Sequence, residues 1–230
     1  QDAQLGAFFD RLRQAGRLDN TLVIICADHG EHLGEKQFMG HSLSIYNELI
    51  RVPLIIRDPA DQFPKGAQVN AVVSTRRLFH TVLTAAGLAT EEEASLSLTE
   101  GATQAERGYV FAEAVPPQNV VNLMQRRQPE LVRNMACDRT RRAVWMGRHK
   151  LIETEGQEVE LYDVLEDPSE NLNLSDILPE NVEALQECLQ TFAGAAAGAP
   201  ETGLRGTQRA TNFEDPEVRR RLQELGYLED

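Results

Sequence analysis

An unbroken apolar run, Leu22-Val23-Ile24-Ile25-Cys26-Ala27, drops directly into Asp28-His29-Gly30-Glu31, and no other feature of the chain constrains its fold as much. A short run rich in β-branched residues, with no polar alternation, reads as a parallel strand covered on both faces. Asp28 and His29 then stand at the strand's carboxyl end, where open α/β sheets place their ligands. The pair offers one hard oxygen and one neutral nitrogen, a donor set that suits a divalent metal. Gly30 lets the backbone turn and approach a bound group closely. Strand-to-loop junctions with Asp, His and Gly are common, however, and on these residues alone an ordinary turn competes with a metal site.

The following residues add context. Gly40-His41 comes after a short polar loop, then Ser42-Leu43-Ser44-Ile45-Tyr46-Asn47-Glu48, then a second short strand in Arg51-Val52-Pro53-Leu54-Ile55-Ile56-Arg57 with prolines at either side. Taken together, Asn20 to Ile24, Asp28-His29-Gly30-Glu31, Gly40-His41, Tyr46 and Arg51 to Ile55 resemble the second half of the sulfatase family, within the alkaline-phosphatase-like superfamily. Val73 to Thr75 and Leu78 to Leu88 continue the likeness, although Arg77 and His80 stand where many members have Asp and Pro. Farther on, Arg142-Ala143-Val144, His149 to Ile152, Glu160 to Asp163, Asp167-Pro168 and Asn171-Leu172 resemble the family's C-terminal subdomain, and Arg221 to Leu228 resembles many bacterial tails.

The resemblance implies a fold and a set of roles. Residues 1–90 would be the end of a mixed, mostly parallel α/β sheet flanked by helices, 91–108 a linker, and 109–230 a small α+β subdomain with an antiparallel sheet. Asp28 and His29 would be metal ligands. His41 would be the catalytic histidine that contacts the sulfate or protonates the leaving oxygen. The metal of sulfatases is usually Ca2+, but an imidazole ligand is less typical of so hard an ion and leaves Mg2+, Mn2+ or Zn2+ open. Glu31 and His32 would support the site or lie in solvent, Arg51 would anchor the strand entrance through a salt bridge, and Tyr46, His80 and His149 would be structural.

Sulfatases attack with a cysteine matured to formylglycine, or with Ser or Thr, inside a Cys/Ser-x-Pro-x-Arg motif that lies upstream of this loop, as does a paired Asp. Neither occurs in the 230 residues, which begin at Gln1. Cys137-Asp138-Arg139-Thr140-Arg141 has cysteine and arginine at the right offset but lacks the proline, and reads as an ordinary cysteine at a strand edge. The implied activity is therefore sulfuric ester hydrolysis by the intact protein, with a sulfated small molecule or glycan as substrate. Alternatives are a phosphodiester or phosphonate ester hydrolase of the same superfamily, or an inactive chain that serves as a scaffold or binding module.

Composition is compatible with all of these. A net charge of −13 argues against a nucleic-acid or anionic-membrane surface. No apolar run approaches the roughly 18 residues of a membrane span. The compartment stays open: a periplasmic or extracellular protein is compatible, with any signal upstream of Gln1. Three scattered cysteines have no pairing or zinc spacing, and Cys26 reads as a small core hydrophobe.

Local patterning completes the expectation. Helices are expected at 2–17 (Leu5, Phe8, Phe9 and Leu12 forming a packing stripe), at 42–50 with Ser42 as N-cap, at 76–87 with Leu78, Phe79, Val82 and Leu83 inward, at 180–190 and at 217–225. Glu91 onward reads as a polar surface loop. Strands are expected at 109–114, 143–146, 150–153 and 158–162, the last three suggesting an antiparallel meander, and 193–200 reads as a flexible Gly/Ala tract. With its sheet incomplete, the strand at 22–27 is expected at an exposed edge.

Overall fold

A computed structural model describes residues 2–100, 108–198 and 220. The chain divides into two compact units, Gln1–Leu189 and Gln190–Asp230. The helix expected at 217–225 and the tail that follows lie outside the described residues, Arg220 apart.

In chain order the elements are α1 (Asp2–Gln14), β1 (Val23–Cys26), β2 (His32–Leu33), β3 (Met39–Gly40), α2 (Asn47–Ile50), β4 (Leu54–Arg57), α3 (Arg77–Ala85), α4 (Glu91–Ser95), β5 (Tyr109–Ala114), α5 (Gln118–Arg127), α6 (Pro129–Asn134), β6 (Arg141–Met146), β7 (His149–Thr154), β8 (Glu160–Asp163) and α7 (Pro179–Gly198). The α/β class is as expected. The strand directions are not: β1 pairs antiparallel with β4, Val23 opposite Arg57 and Cys26 opposite Leu54, and no parallel pair occurs among the described strands. A parallel pair needs a crossover, usually a helix packed on the sheet. The segment between β1 and β4 contains only the one-turn α2 and the β2–β3 hairpin, so the chain returns in the opposite sense.

The second sheet follows the sequence pattern closely. Strands β5, β6, β7 and β8 form an antiparallel meander in that order. Tight turns at Gly147 and Gly156, at φ +61° and +73°, are the positions where glycine is needed. Strand alternation sorts the side chains into two layers. Val144, Leu151 and Leu161 face α7 and bury against Leu185 and Leu189. Ala143, Trp145, Ile152 and Tyr162 face the opposite way and bury against Ile45, with Tyr46 and Ile50 packed alongside. The sheet is thus sandwiched between α7 and the segment that follows His41. Helices α5 and α6, which the sequence pattern did not reveal, close one side: Val132 and Cys137 pack on Phe38. The alanines at 193 and 195–197, expected in a flexible tract, instead continue α7 to Gly198, in keeping with their helix propensity. Leu151 is fully buried between sheet and α7. Leu151→Ala should cost about 3 kcal/mol, and a thermal melt should fall by ~6–12 °C.

The first 90 residues are less well covered. No residue of α1 is buried, and Leu5 and Phe8 are exposed, so the expected packing stripe has no complete partner among the described residues. All of β1 is half-buried, and Cys26 is no core residue. On α3 the buried side chains are Arg77 and Thr81, while Phe79 and Val82 point to solvent. The reversal has a polar cause: Arg77 donates to the carbonyls of Leu96 (3.1 Å) and Ser97 (2.5 Å), and the Thr81 hydroxyl accepts from the Leu98 N–H (3.0 Å). The stretch expected as a loop contains α4, started by a capping box in which Thr90 and Glu93 bond each other's backbone N–H. An open apolar groove of about 430 Å³, lined by Leu22, Ile24, Val82, Ala85 and Ala86, runs over β1.

Candidate active site

Asp28 and His29 follow β1 in a loop with little room to vary. The His29 backbone N–H donates to Asp28 Oδ1 at 3.0 Å, and this bond holds the Asp28 carboxyl below the usual carboxylate range. His29 Nδ1 lies 2.8 Å from the Gly30 carbonyl oxygen. A carbonyl only accepts, so Nδ1 carries the proton and Nε2 keeps a free lone pair. That Nε2 stands 3.8 Å from Asp28 Oδ2, a separation that two bonds of about 2.0–2.4 Å to a single cation can bridge. The donor chemistry and geometry therefore fit a divalent metal. No group of three His, Cys, Asp or Glu side chains that could hold a metal occurs among the described residues.

Gly30 fixes this loop onto α2. Its N–H donates to the Leu49 carbonyl at 2.7 Å, and a Cβ built on it would lie 1.9 Å from the Glu48 carbonyl oxygen. Only glycine permits so close an approach.

His41 comes to the same place from the β2–β3 hairpin. Its ring stacks on that of His29, centroids 4.3 Å apart at 30°. The Glu31 carboxylate accepts from His41 Nδ1 at 3.1 Å, which orients the ring and leaves Nε2 for a reacting group. Ser42, next in line, has φ +86°, a left-handed conformation that a non-glycine residue holds only under external constraint. It does not cap a helix. The expected helix at 42–50 is reduced to α2, and the first N–H of α2, that of Asn47, donates instead to Glu170 Oε2 at 2.7 Å. A carboxylate from 123 residues away does the capping, and Ser42 is left to the turn. Asp28, His29, His41 and Ser42, with Ile45 and Glu113, line an open cleft of about 210 Å³.

The remaining sequence candidates fall into place around this cluster. His32 is not solvated: it is buried against Phe38 and Tyr46, with Nε2 2.6 Å from the hydroxyl of Ser44, which lines the cleft, and burial lowers its pKa. Arg51 is exposed and has no ion pair among the described residues; Arg57, at the other end of β4, donates to the Leu18 (2.6 Å) and Thr21 (3.1 Å) carbonyls. Tyr46 packs against Tyr162 and donates to Glu160 at 3.0 Å. His149 bonds Asn181 at 3.3 Å, and His80 sits against Phe79. Cys137 is 1% exposed and burial pushes its thiol pKa up, the opposite of what a nucleophile needs.

Residues 1–88 match the sulfatase family model. A sulfatase of Formosa agariphila is 26% identical over 193 residues, covering 82% of this chain and 33% of that protein. Arylsulfatase K of Bos taurus is 41% identical over 88 residues, 38% of this chain and 16% of that protein. Among solved structures, one of a protein bound to its substrate D-glucosamine-2-N,6-O-disulfate superposes with a TM-score of 0.66 at 22% identity, over 88% of this chain and 40% of that one. The fold is thus shared with that protein. The match to the sulfatase family model is confined to the first 88 residues, and the chain spans a third or less of the length of these two sulfatase relatives.

Proposed function

We propose that this chain is the part of a sulfuric ester hydrolase that contributes two ligands of a divalent cation, Asp28 and His29, and a catalytic histidine, His41. The observation that carries the reading is the tautomer imposed on His29. With Nδ1–H spent on the Gly30 carbonyl, the lone pair of Nε2 sits 3.8 Å from the Asp28 carboxylate. Calcium is the ion the family resemblance favours. When bound, the cation would supply positive charge to the sulfuryl oxygens as a Lewis acid.

The chain's own residues do the rest of this half of the chemistry. Asp28, ionised at neutral pH, and His29 hold the cation site open at the end of β1. His41, with Nδ1–H donated to Glu31, presents Nε2 to the ester; protonated there, it gives its proton to the departing alkoxide oxygen, and Glu31 holds the ring in that orientation. The nucleophile belongs to the rest of such a protein, since residues 1–230 contain no Cys/Ser-x-Pro-x-Arg. A sulfated small molecule or glycan is the substrate class; the structural neighbour bound to a disulfated glucosamine supports it. A periplasmic or extracellular compartment would suit such a substrate.

The test is hydrolysis of 4-methylumbelliferyl sulfate and of a glucosamine sulfate by the complete gene product, with and without EDTA. Turnover that EDTA abolishes and calcium restores is the expected result. Faster cleavage of a phosphonate monoester than of either sulfate would move the protein to the other hydrolase class, and no turnover of any ester would leave a scaffold.

A further inference from the structure

The best-built polar cluster in the described chain lies outside the cleft, on the meander face that looks toward α2. Lys150 of β7 and Glu170 both have side chains at 0% exposure, and their Nζ and Oε1 are 2.6 Å apart. Burying two charges is costly unless each finds further partners. The Lys150 ammonium lies over the Trp145 ring, 4.6 Å from its centroid, and the hydrogen-bond partners of the pair are on the segment that carries the site. Lys150 Nζ donates to the Ile45 carbonyl at 2.8 Å and reaches Asn47 Oδ1 at 3.5 Å. Glu170 Oε2 caps α2 by accepting from the Asn47 N–H. Asn47 Nδ2 donates to the Pro168 carbonyl at 2.9 Å, and Lys36, from the β2–β3 hairpin, donates to the Glu170 carbonyl. Glu170 itself has φ +54°, a conformation that a glutamate keeps only when its surroundings fix it.

These bonds end where those of the site begin. Helix α2 is one turn long and cannot hold itself together. Its carbonyls at Glu48 and Leu49 are the surface on which Gly30 rests, and Gly30 adjoins Asp28 and His29. At the other end, Ile45 is four residues from His41 in a segment that also bonds buried His32 through Ser44. We infer that Lys150 and Glu170 are positioning residues, which fix α2 and the 41–47 segment so that Asp28, His29 and His41 meet in one cleft. This rests on reading those three as the reacting cluster. Burial pushes the Lys150 ammonium down to about 8 against the pull of Glu170, so the pair is held together by its partners more than by ease of ionisation.

The experiment uses the complete gene product labelled with 13C at histidine Cε1, and the variants Lys150→Met, Glu170→Leu, Glu170→Gln and the double Lys150→Met/Glu170→Gln. Glutamine keeps an acceptor for the Asn47 N–H without the charge. Expected are shifted or broadened His29 and His41 signals in Lys150→Met and Glu170→Leu with His80 unmoved. The same two variants should show kcat lowered about 10–100-fold and KM within about twofold, a range typical of losing support around a site. The double variant, which buries no unpaired charge and keeps an acceptor for the Asn47 N–H, should regain the wild-type signals and most of kcat, whereas Glu170→Gln, which leaves the Lys150 ammonium without its carboxylate, should recover only part of both. Folded variants whose His29 and His41 signals match wild type would overturn the inference, as would a kcat loss equal to the unfolded fraction. The two readings separate cleanly. A wild type without sulfatase turnover whose histidine signals still respond refutes the activity alone; an active wild type with indifferent signals refutes the positioning alone.

Discussion

Asp28→Ala in the complete gene product is expected to lower sulfate ester turnover at least ~10³-fold and leave the far-UV circular dichroism unchanged. The two halves of this expectation come from one fact. The Asp28 side chain is 86% exposed and bonds only the N–H of its neighbour among the described residues, so its removal empties no core, and surface changes of this type move stability by about 0.5 kcal/mol or less. What it removes is the anionic oxygen facing His29 Nε2. A cation's stabilisation of transition-state charge is several kcal/mol, and each ~1.4 kcal/mol is tenfold in rate. Asp28→Asn, which still accepts from the His29 N–H but lacks the charge, should be nearly as slow. Wild-type turnover in either variant would remove Asp28 from the site.

Gly30→Ala should destabilise the fold by at least about 2–3 kcal/mol, lowering the melting temperature by ~5–10 °C, and should abolish activity with it. Gly30 is not among the glycines with positive φ, so the cost is steric and not conformational. The added methyl would meet the Glu48 carbonyl oxygen at 1.9 Å, backbone against backbone, with the 2.7 Å bond from Gly30 N–H to Leu49 lost as the loop recoils. No side chain can rotate away to relieve it. A variant that melts within 1 °C of wild type would show that the loop does not rest on α2.

Much of this was legible because its causes are local. Alternation within 141–146, 149–154 and 160–163 separates the two faces of the meander, and Gly147 and Gly156 mark its turns. The Asp28-His29-Gly30 loop could be found because its donors are adjacent in the chain. The brace beneath it could not, since Lys150 reaches Ile45 across 105 residues and Glu170 reaches Asn47 across 123. No periodicity encodes such distances. Ser42 looked like an N-cap because serine often is one, and only the remote carboxylate displaced it. The faces of α1 and α3 misled for another reason. Their apolar stripes are real, but on α3 the hydrogen bonds of Arg77 and Thr81 decide which side is covered. Helix α5 buries only Val121, too faint a stripe to read among its polar residues.

The β1–β4 ribbon has a final consequence. Each strand has a ladder partner on one flank alone among the described residues, so peptide groups along 23–26 and 54–57 face outward with hydrogen bonds still to be made. Such a flank takes up whatever extended backbone reaches it first.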